Sequence, residues 1–173
     1  DFIDVGGYST PPGAPKVEET EELKRVLPAI ENILKQFPDI LISIDTFRAN
    51  VAKKSIEAGA AIINDISAGS LDPEMMKTVA NQQVPYIMMH MRGTPQTMKD
   101  LNQYDDLLQD ILFYFSEKIN AARALEINDL IVDPGFGFAK NIDQNFELLS
   151  KMELFQTLEL PLLAGLSRKS LIY

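Results

Sequence analysis

The sequence predicts an α/β protein of the (β/α)8 barrel type, and three observations support this prediction. Short apolar segments alternate with amphipathic segments of helical period along the 173 residues. The apolar segments are nearly continuous, which is typical of parallel strands buried on both faces. Each of them also ends in a polar residue, and these residues are Asp4, Asp45, the pair Asn64-Asp65, His90, Asp133 and Ser167. Because the carboxyl ends of barrel strands meet at one mouth, polar side chains there predict a common ligand site.

The six predicted strands cover residues 2–5, 40–44, 60–63, 84–89, 130–132 and 160–166. The five predicted helices cover residues 19–37, 48–58, 72–82, 104–125 and 143–152. The first helix has apolar residues three and four positions apart and ends before Pro38. The second ends at Gly59, a favoured residue after a helix, and the third begins with Asp72 as the predicted N-cap and Pro73 in its first turn.

A doubly wound open sheet has the same local order of strands and helices. Such a sheet usually carries a G-x-G-x-x-G turn after its first strand, and Gly6-Gly7 lacks that spacing. Polar residues at all the strand ends therefore favour the barrel. We expect residues 1–173 to form one domain, an incomplete barrel with about six strands and five helices, in which the first and last of eight strands are missing.

The composition limits the classes of partner. With 25 acidic and 16 basic residues the net charge is −9, so we expect no binding to nucleic acid or to an anionic membrane surface. No apolar run approaches the roughly 20 residues of a membrane span, and no secretory signal is visible. The chain has no Cys and a single His, which excludes disulfides, thiolate zinc sites and His-rich metal sites. We expect a cytoplasmic protein.

The richest motif is the segment 133–140, which follows a predicted strand. Its glycines allow a tight turn beside a ligand. Phe136 and Phe138 can stack on a flat ring, and the Asp133 carboxylate can accept paired N–H donors from a heterocycle. The alternative is an ordinary glycine-rich loop in which both Phe side chains fill the core.

Two neighbouring strand ends add a carboxylate and an amide. Asp45 and Asn64 could complete a set of groups that reads the edge of an amino-pyrimidinone ring, since an amide both donates and accepts hydrogen bonds. The alternative is that these side chains satisfy loop N–H groups or cap the following helices. His90 is more often a structural residue in such a position, and no carboxylate partner for it is visible in the sequence.

The last apolar segment leads into a basic loop, residues 165–170. Gly165 permits close approach of a ligand, and Lys169 can contact an electron-rich ring or a carboxylate. The alternative is a surface loop with solvated basic side chains. Near the other terminus, residues 6–14 are rich in turn-forming residues and suit either a mobile cover over the mouth or an ordinary long loop.

Taken together, these motifs resemble the dihydropteroate synthase family, the pterin-binding barrel enzymes of folate biosynthesis. Six segments carry the resemblance in the family's order and extend over nearly the whole chain. They are Gly6-Gly7-Tyr8-Ser9-Thr10, Ile44-Asp45-Thr46, Ile63-Asn64-Asp65-Ile66, Met89-His90-Met91, Asp133-Pro134-Gly135-Phe136-Gly137-Phe138 and Ser167-Arg168-Lys169-Ser170.

The resemblance implies a transferase that joins p-aminobenzoate to 6-hydroxymethyl-7,8-dihydropterin diphosphate, releases pyrophosphate and is a sulfonamide target. It implies Mg²⁺ bound with the diphosphate, small-molecule substrates and a possible homodimer. By similarity, Lys169 and Asp133 are catalytic. The implied pterin-binding residues are Asp45, Asn64, Ile66, Met89, Asp133, Phe138, Gly165 and Lys169. The implied p-aminobenzoate-binding residues are Thr10, Pro12, Phe138, Lys169 and Ser170.

The chain departs from the family pattern in three places. Pro11 stands where the family usually has Arg, which removes a cation expected to contact the diphosphate. We expect the family's first strand and loop, which help to bind Mg²⁺, and its last strand, which carries an Arg and a His, to lie outside this chain, so no metal ligand is expected within it. Two alternatives remain: a methyltetrahydrofolate-dependent methyltransferase on a similar barrel, and a non-catalytic pterin-binding fragment.

Overall fold

The computed structural model describes residues 1–9 and 15–169. A single parallel sheet of five strands forms the centre of this part of the chain. The strands are β1 (Phe2–Gly6), β2 (Leu41–Asp45), β3 (Ile62–Asp65), β4 (Tyr86–Met89) and β5 (Leu130–Asp133). Each lies within two residues of its predicted position, which confirms these apolar segments as parallel strands. The prediction that they are buried on both faces is wrong for β1, where Phe2 and Ile3 are exposed.

The strands follow one another in the sheet in the same order as in the chain, β1-β2-β3-β4-β5. A doubly wound sheet reverses its strand order at one point and carries helices on both faces. Sequential order with right-handed crossovers instead brings every connecting helix to the same face. This order confirms the barrel prediction and excludes the doubly wound alternative.

The helices are α1 (Glu19–Gln36), α2 (Ala49–Glu57), α3 (Met75–Gln82), α4 (Leu107–Ala124) and α5 (Ile142–Ser150). Two short 3₁₀ helices accompany them, at Met98–Asp100 and Met152–Leu158. The fourth helix begins three residues later than predicted because the Asp106 carboxylate caps it by accepting a hydrogen bond from the Gln109 N–H. None of the helices in the described part of the chain is long and apolar enough to cross a lipid bilayer.

The prediction that Asp72 is the N-cap of the third helix is wrong, because α3 begins only at Met75. The Asp72 carboxylate instead serves two chain segments. One oxygen accepts from the Glu74 N–H at 3.0 Å, in the turn that precedes α3. The other accepts from the Ala49 N–H at 2.8 Å, at the first residue of α2. A helix start leaves N–H groups without partners inside the helix, and a neighbouring loop supplies one acceptor here.

The sixth predicted strand, residues 160–166, pairs at a single position. Val132 and Leu162 form an isolated parallel bridge, with the Val132 N–H donating to the Pro161 carbonyl at 3.0 Å and the Leu163 N–H donating to the Val132 carbonyl at 2.9 Å. The segment therefore lies beside β5, where the barrel order requires it. Within the described ranges no further strand pairs with its other edge.

The main core lies between the sheet and the helices. Alternate residues of each strand, such as Ile42 and Ile44 in β2 and Met88 in β4, are buried there against Val26 of α1 and Phe115 of α4. The opposite set of alternate residues points to the other, inner face of the sheet, because side chains change face at every residue of a strand. The chemistry predicted from the strand ends must therefore be sought on this inner face.

Candidate functional site

The register of the sheet places four of the predicted site residues on the inner face. Asp45 is the register partner of Asn64, and Met89 is the register partner of Asp133. Register partners in a parallel sheet project from the same face, and Asn64 is paired with Ile87, two residues before Met89. The strand ends therefore bring a carboxylate, an amide, a thioether and a second carboxylate to one concave surface.

Asp4 joins this group from the first strand. Its register partner is Ser43, which lies on the same face as Asp45. The Asn64 side-chain N–H donates to both carboxylate oxygens of Asp4, at 3.4 and 3.2 Å. This contact orients the amide of Asn64. Asp4 therefore supports a predicted site residue, which its position in the sequence did not indicate.

Asp45 is a carboxyl group of the mouth whose pKa is raised. Burial raises the pKa of its carboxyl to about 7, and repulsion by the Asp4 carboxylate adds to the shift. Asp65 and Glu22 contribute smaller repulsion in the same direction. A carboxyl group with this pKa changes its charge near neutral pH, and a ligand that donates hydrogen bonds to it would favour the ionised form.

We expect the variant Asp45→Asn to be more stable than the parent in neutral solution without ligand. A folded-state pKa near 7, above the unfolded value of about 3.9, makes the parent lose stability as pH rises from about 4 to 7 and stay level above that. The variant should lack this loss, so its free energy of unfolding should exceed that of the parent by about 1–2 kcal/mol at pH 8. This is less than the free energy that corresponds to the full pKa shift, because Asp45 is partly exposed. Urea unfolding between pH 4 and 8 measures the difference.

The control for this experiment is Asp39→Asn, at an exposed carboxylate just before the opposite end of the same strand. Its unfolding free energy should follow the parent at every pH. Parallel pH profiles for the parent and Asp45→Asn would contradict the assigned shift.

The loop after β5 is held close to the end of its strand. The Gly135 N–H donates to Asp133 Oδ1 at 2.8 Å, which leaves the second carboxylate oxygen for other donors. Gly135 has φ of +72°, and a Cβ added there would lie 2.1 Å from the backbone oxygen of His90. Only a glycine allows this approach.

The two Phe residues of this loop have different environments. Phe136 is fully buried in the main core, so the prediction that it stacks on a ligand ring is wrong. Phe138 is half-buried and packs on a second apolar cluster that contains Met89 and Ile66. The aromatic and apolar residues predicted to line the ring site are thus brought together, with Phe138 as their aromatic member.

The basic loop reaches the same place. The Lys169 ammonium donates to the Phe136 carbonyl at 2.5 Å and lies 4.8 Å from the centre of the Phe138 ring. A Cβ added at Gly165 would lie 3.5 Å from the Lys169 nitrogen, so the two meet closely. Burial lowers the pKa of Lys169, and the attraction of the Asp133 carboxylate opposes this shift.

Asp65 and His90 have structural partners. Asp65 projects to the helix side, where its carboxylate accepts from the Tyr86 hydroxyl at 2.7 Å and from the N–H groups of Ser67 and Gly69 at 2.8 and 2.7 Å. It therefore shapes the loop after β3. His90 packs edge-on against the Tyr114 ring and is buried behind the mouth.

A buried ion pair supports the rim above β2. The Glu22 carboxylate of α1 accepts from the Thr46 hydroxyl at 2.7 Å and pairs with the Arg48 guanidinium. The guanidinium carbon of Arg48 also lies 5.4 and 5.3 Å from the ring centres of Tyr8 and Phe47. These contacts fix the loops that leave β1 and β2 relative to each other.

The sequence analysis did not assign to the site two residues that contact it in the structure. Asp4 was noticed as a strand end but not assigned to Asn64. Lys140 was not considered, although it is buried beneath the loop that follows Asp133. A lysine directly before the helix-capping Asn141 looks in the sequence like an ordinary surface residue, so no local signal marked it.

Some predicted positions cannot be compared. Thr10, Pro12 and Ser170, predicted to contact p-aminobenzoate, and Pro11, which replaces the family Arg, lie outside the described residues. Within residues 1–9 and 15–169 no three carboxylate or imidazole side chains are close enough to hold a metal ion.

Two curated relatives of the chain carry the same name, dihydropteroate synthase. This chain is 46% identical over 173 residues to a dihydropteroate synthase of Synechocystis. It is 44% identical over 173 residues to a dihydropteroate synthase of Escherichia coli. Each alignment covers 99% of this chain but only 60% and 61% of the relatives. The chain thus spans about three fifths of the length of the proteins it matches.

The solved structures give the same result. A Yersinia pestis dihydropteroate synthase with a bound sulfonamide drug superposes with a TM-score of 0.94 at 43% identity, over 99% of this chain and 62% of that one. A Xanthomonas albilineans dihydropteroate synthase with 4-aminobenzoic acid gives 0.92 at 40% identity, over 99% and 61%. The family described as pterin binding enzyme matches residues 1–173. With its barrel order and inner-face polar residues, the chain belongs to the pterin binding enzyme family.

Proposed function

We propose that this chain carries the pterin site of a dihydropteroate synthase, which joins p-aminobenzoate to 6-hydroxymethyl-7,8-dihydropterin diphosphate. The observation that supports this most strongly is the convergence of Asp45, Asn64 and Asp133 on the inner face, with Phe138 and Lys169 beside them. The resemblance of the same residues to the synthase family gives the substrate identities.

A flat pterin fits this arrangement because its polar edge and its ring faces need different partners. The edge presents ring and exocyclic N–H donors, which the free oxygen of Asp133 and the Asp45 carboxylate can accept. Asn64 offers an amide that both donates and accepts. Met89 and Phe138 supply apolar contact for the ring faces.

Lys169 supplies the positive charge of the site. Its ammonium lies over the Phe138 ring and is attracted by the Asp133 carboxylate. Placed between them, it can contact the electron-rich edge of the pterin and the carboxylate of p-aminobenzoate. Thr10, Pro12 and Ser170 complete the p-aminobenzoate site in this proposal.

The reaction breaks the bond between the methylene carbon and the diphosphate oxygen, and pyrophosphate leaves with the electron pair. The electron-rich pterin stabilises the positive charge that develops on the methylene group. The aniline nitrogen of p-aminobenzoate then forms the new C–N bond and loses a proton. The protein contributes orientation and electrostatic stabilisation rather than covalent chemistry. Mg²⁺, bound mainly through diphosphate oxygens, would neutralise the leaving group.

Product formation by the protein, expressed from its whole reading frame, tests the proposal. We expect dihydropteroate and pyrophosphate in equal amounts when both substrates and Mg²⁺ are present. Pterin binding without turnover would instead favour a non-catalytic pterin-binding protein. Methyl transfer from methyltetrahydrofolate, without product from p-aminobenzoate, would favour the methyltransferase alternative.

A further inference from the structure

Lys140 is a buried lysine that the reaction does not use directly. Its ammonium lies within hydrogen-bond distance of three acceptors: the Gly135 carbonyl at 3.1 Å, the Phe138 carbonyl at 3.1 Å and His90 Nδ1 at 3.0 Å. An ammonium group has three N–H donors, so the three acceptors use them all. Buried lysines are rare and need such partners, since an unpaired buried charge is strongly unfavourable.

The electrostatics of the two side chains agree with this geometry. Burial lowers the pKa of His90 well below its ordinary value, and the nearby Lys140 charge lowers it further. The imidazole is therefore neutral and can accept through Nδ1. Burial also lowers the pKa of Lys140 to about 7, with the Asp133 carboxylate acting in the opposite direction. A neutral amine would still have two N–H donors for the two carbonyls, so both hydrogen bonds to the loop persist whether Lys140 is charged or neutral.

The two carbonyls belong to the residues that shape the ligand-facing part of the loop. Gly135 is the residue whose N–H holds the Asp133 carboxylate, and its own carbonyl points to Lys140. Phe138 is the aromatic residue at the mouth, and its carbonyl also points to Lys140. One side chain beneath the loop thus fixes the peptide groups on both sides of the Gly135–Phe138 turn.

We propose that Lys140 is a positioning residue for pterin recognition, which acts by fixing the loop that aims the Asp133 carboxylate and the Phe138 ring into the mouth. The inference rests on the proposed pterin site, and it assigns to Lys140 no contact with the ligand. Other side chains hold the middle of the same loop: the Gly137 N–H donates to Asn145 Oδ1 at 2.7 Å, and Lys169 donates to the Phe136 carbonyl. Lys140 is distinct from them because it binds the carbonyls of Gly135, whose N–H holds Asp133, and of Phe138 itself.

The test is the affinity for 6-hydroxymethylpterin of the parent, Lys140→Met and Lys35→Met, measured by calorimetry well below the unfolding midpoint of each protein. Met keeps the length and apolar stem of lysine but has no N–H donor. We expect Lys140→Met to raise the Kd at least fivefold. Lys35, an exposed lysine of α1, serves as the control, and its variant should bind like the parent.

A double-mutant cycle with Asp133→Asn separates positioning from a general loss of stability. If Lys140 acts through Asp133 and Phe138, Lys140→Met should raise the Kd by a smaller factor in the Asp133→Asn variant than in the parent, because part of the interaction is already lost. An unchanged Kd for Lys140→Met, or losses that multiply in the double variant, would overturn the inference. Should Lys140→Met not fold, Lys140→Gln, which keeps an amide donor, takes its place in the same cycle.

The outcomes also separate this inference from the proposed function. If the parent binds pterin but makes no product, the synthase proposal is wrong. The comparison of Kd values still tests the role of Lys140 in that case. A parent that binds no pterin would overturn both.

Discussion

The variant Asp133→Asn should lose at least tenfold in pterin affinity, or about 1.4 kcal/mol. One carboxylate oxygen accepts from the Gly135 N–H, and an asparagine would turn its single carbonyl oxygen to that donor. Its NH₂ group would then face the N–H donors of the pterin, so an attractive contact becomes a repulsive one. Calorimetric titration with 6-hydroxymethylpterin measures the change.

The matched control is Asp129→Asn at the opposite end of the same strand. Asp129 is an exposed carboxylate that precedes β5, so the substitution makes the same chemical change away from the mouth. Its pterin affinity should equal that of the parent. Unchanged affinity in Asp133→Asn would remove Asp133 from the site and, with it, the main contact of the proposed pterin edge.

The variant Gly135→Ala should lose about 3 kcal/mol or more of unfolding free energy, with a matching loss of pterin binding at ordinary temperature. Two penalties combine at this position. The backbone has φ of +72°, which costs an alanine about 1–2 kcal/mol. The added Cβ would also lie 2.1 Å from the His90 carbonyl oxygen, so either the loop or β4 must move. Urea unfolding measures the loss.

The variant Gly137→Ala measures the penalty of the positive φ without the penalty of a close contact. Gly137 has a similar φ of +79°, but its added Cβ would meet only a Lys169 side-chain carbon at 3.5 Å, an ordinary contact. We expect a loss of about 1 kcal/mol. Equal losses in the two variants would mean that the close approach of Gly135 to His90 does not occur.

The local periodicities of the chain were sufficient to predict its elements. Each of the five strands of the sheet lies within two residues of an apolar segment identified by composition. The helices follow from apolar stripes. Two of them, α3 and α4, begin three residues later than predicted, and of these two only α4 has a side-chain cap, from Asp106. The resemblance also depended on short segments readable in the sequence, and the family comparison confirms membership of the pterin binding enzyme family.

The sequence could not show which of two nearby residues faces the mouth and which faces the other side. Asn64 and Asp65 follow the same apolar segment, but the pairing of Asn64 with Asp45 turns Asn64 to the mouth and leaves Asp65 among the helices. Phe136 and Phe138 also have different environments, one in the core and one at the mouth, but they lie in a loop, where the loop backbone and not a strand period sets their directions. A one-residue difference reverses the face of a strand residue, so only the register of neighbouring strands settles it.

The sequence by itself therefore determined the strand and helix pattern, the polar strand ends and the family, because these depend on local periodicity and short motifs. Tertiary structure alone decided which polar residues share the inner face. It also decided that Asp4 orients Asn64 and that Lys140 lies under the Asp133 loop. Those contacts join residues that are distant in the chain or emerge from a loop of unusual backbone shape, and no local pattern records them.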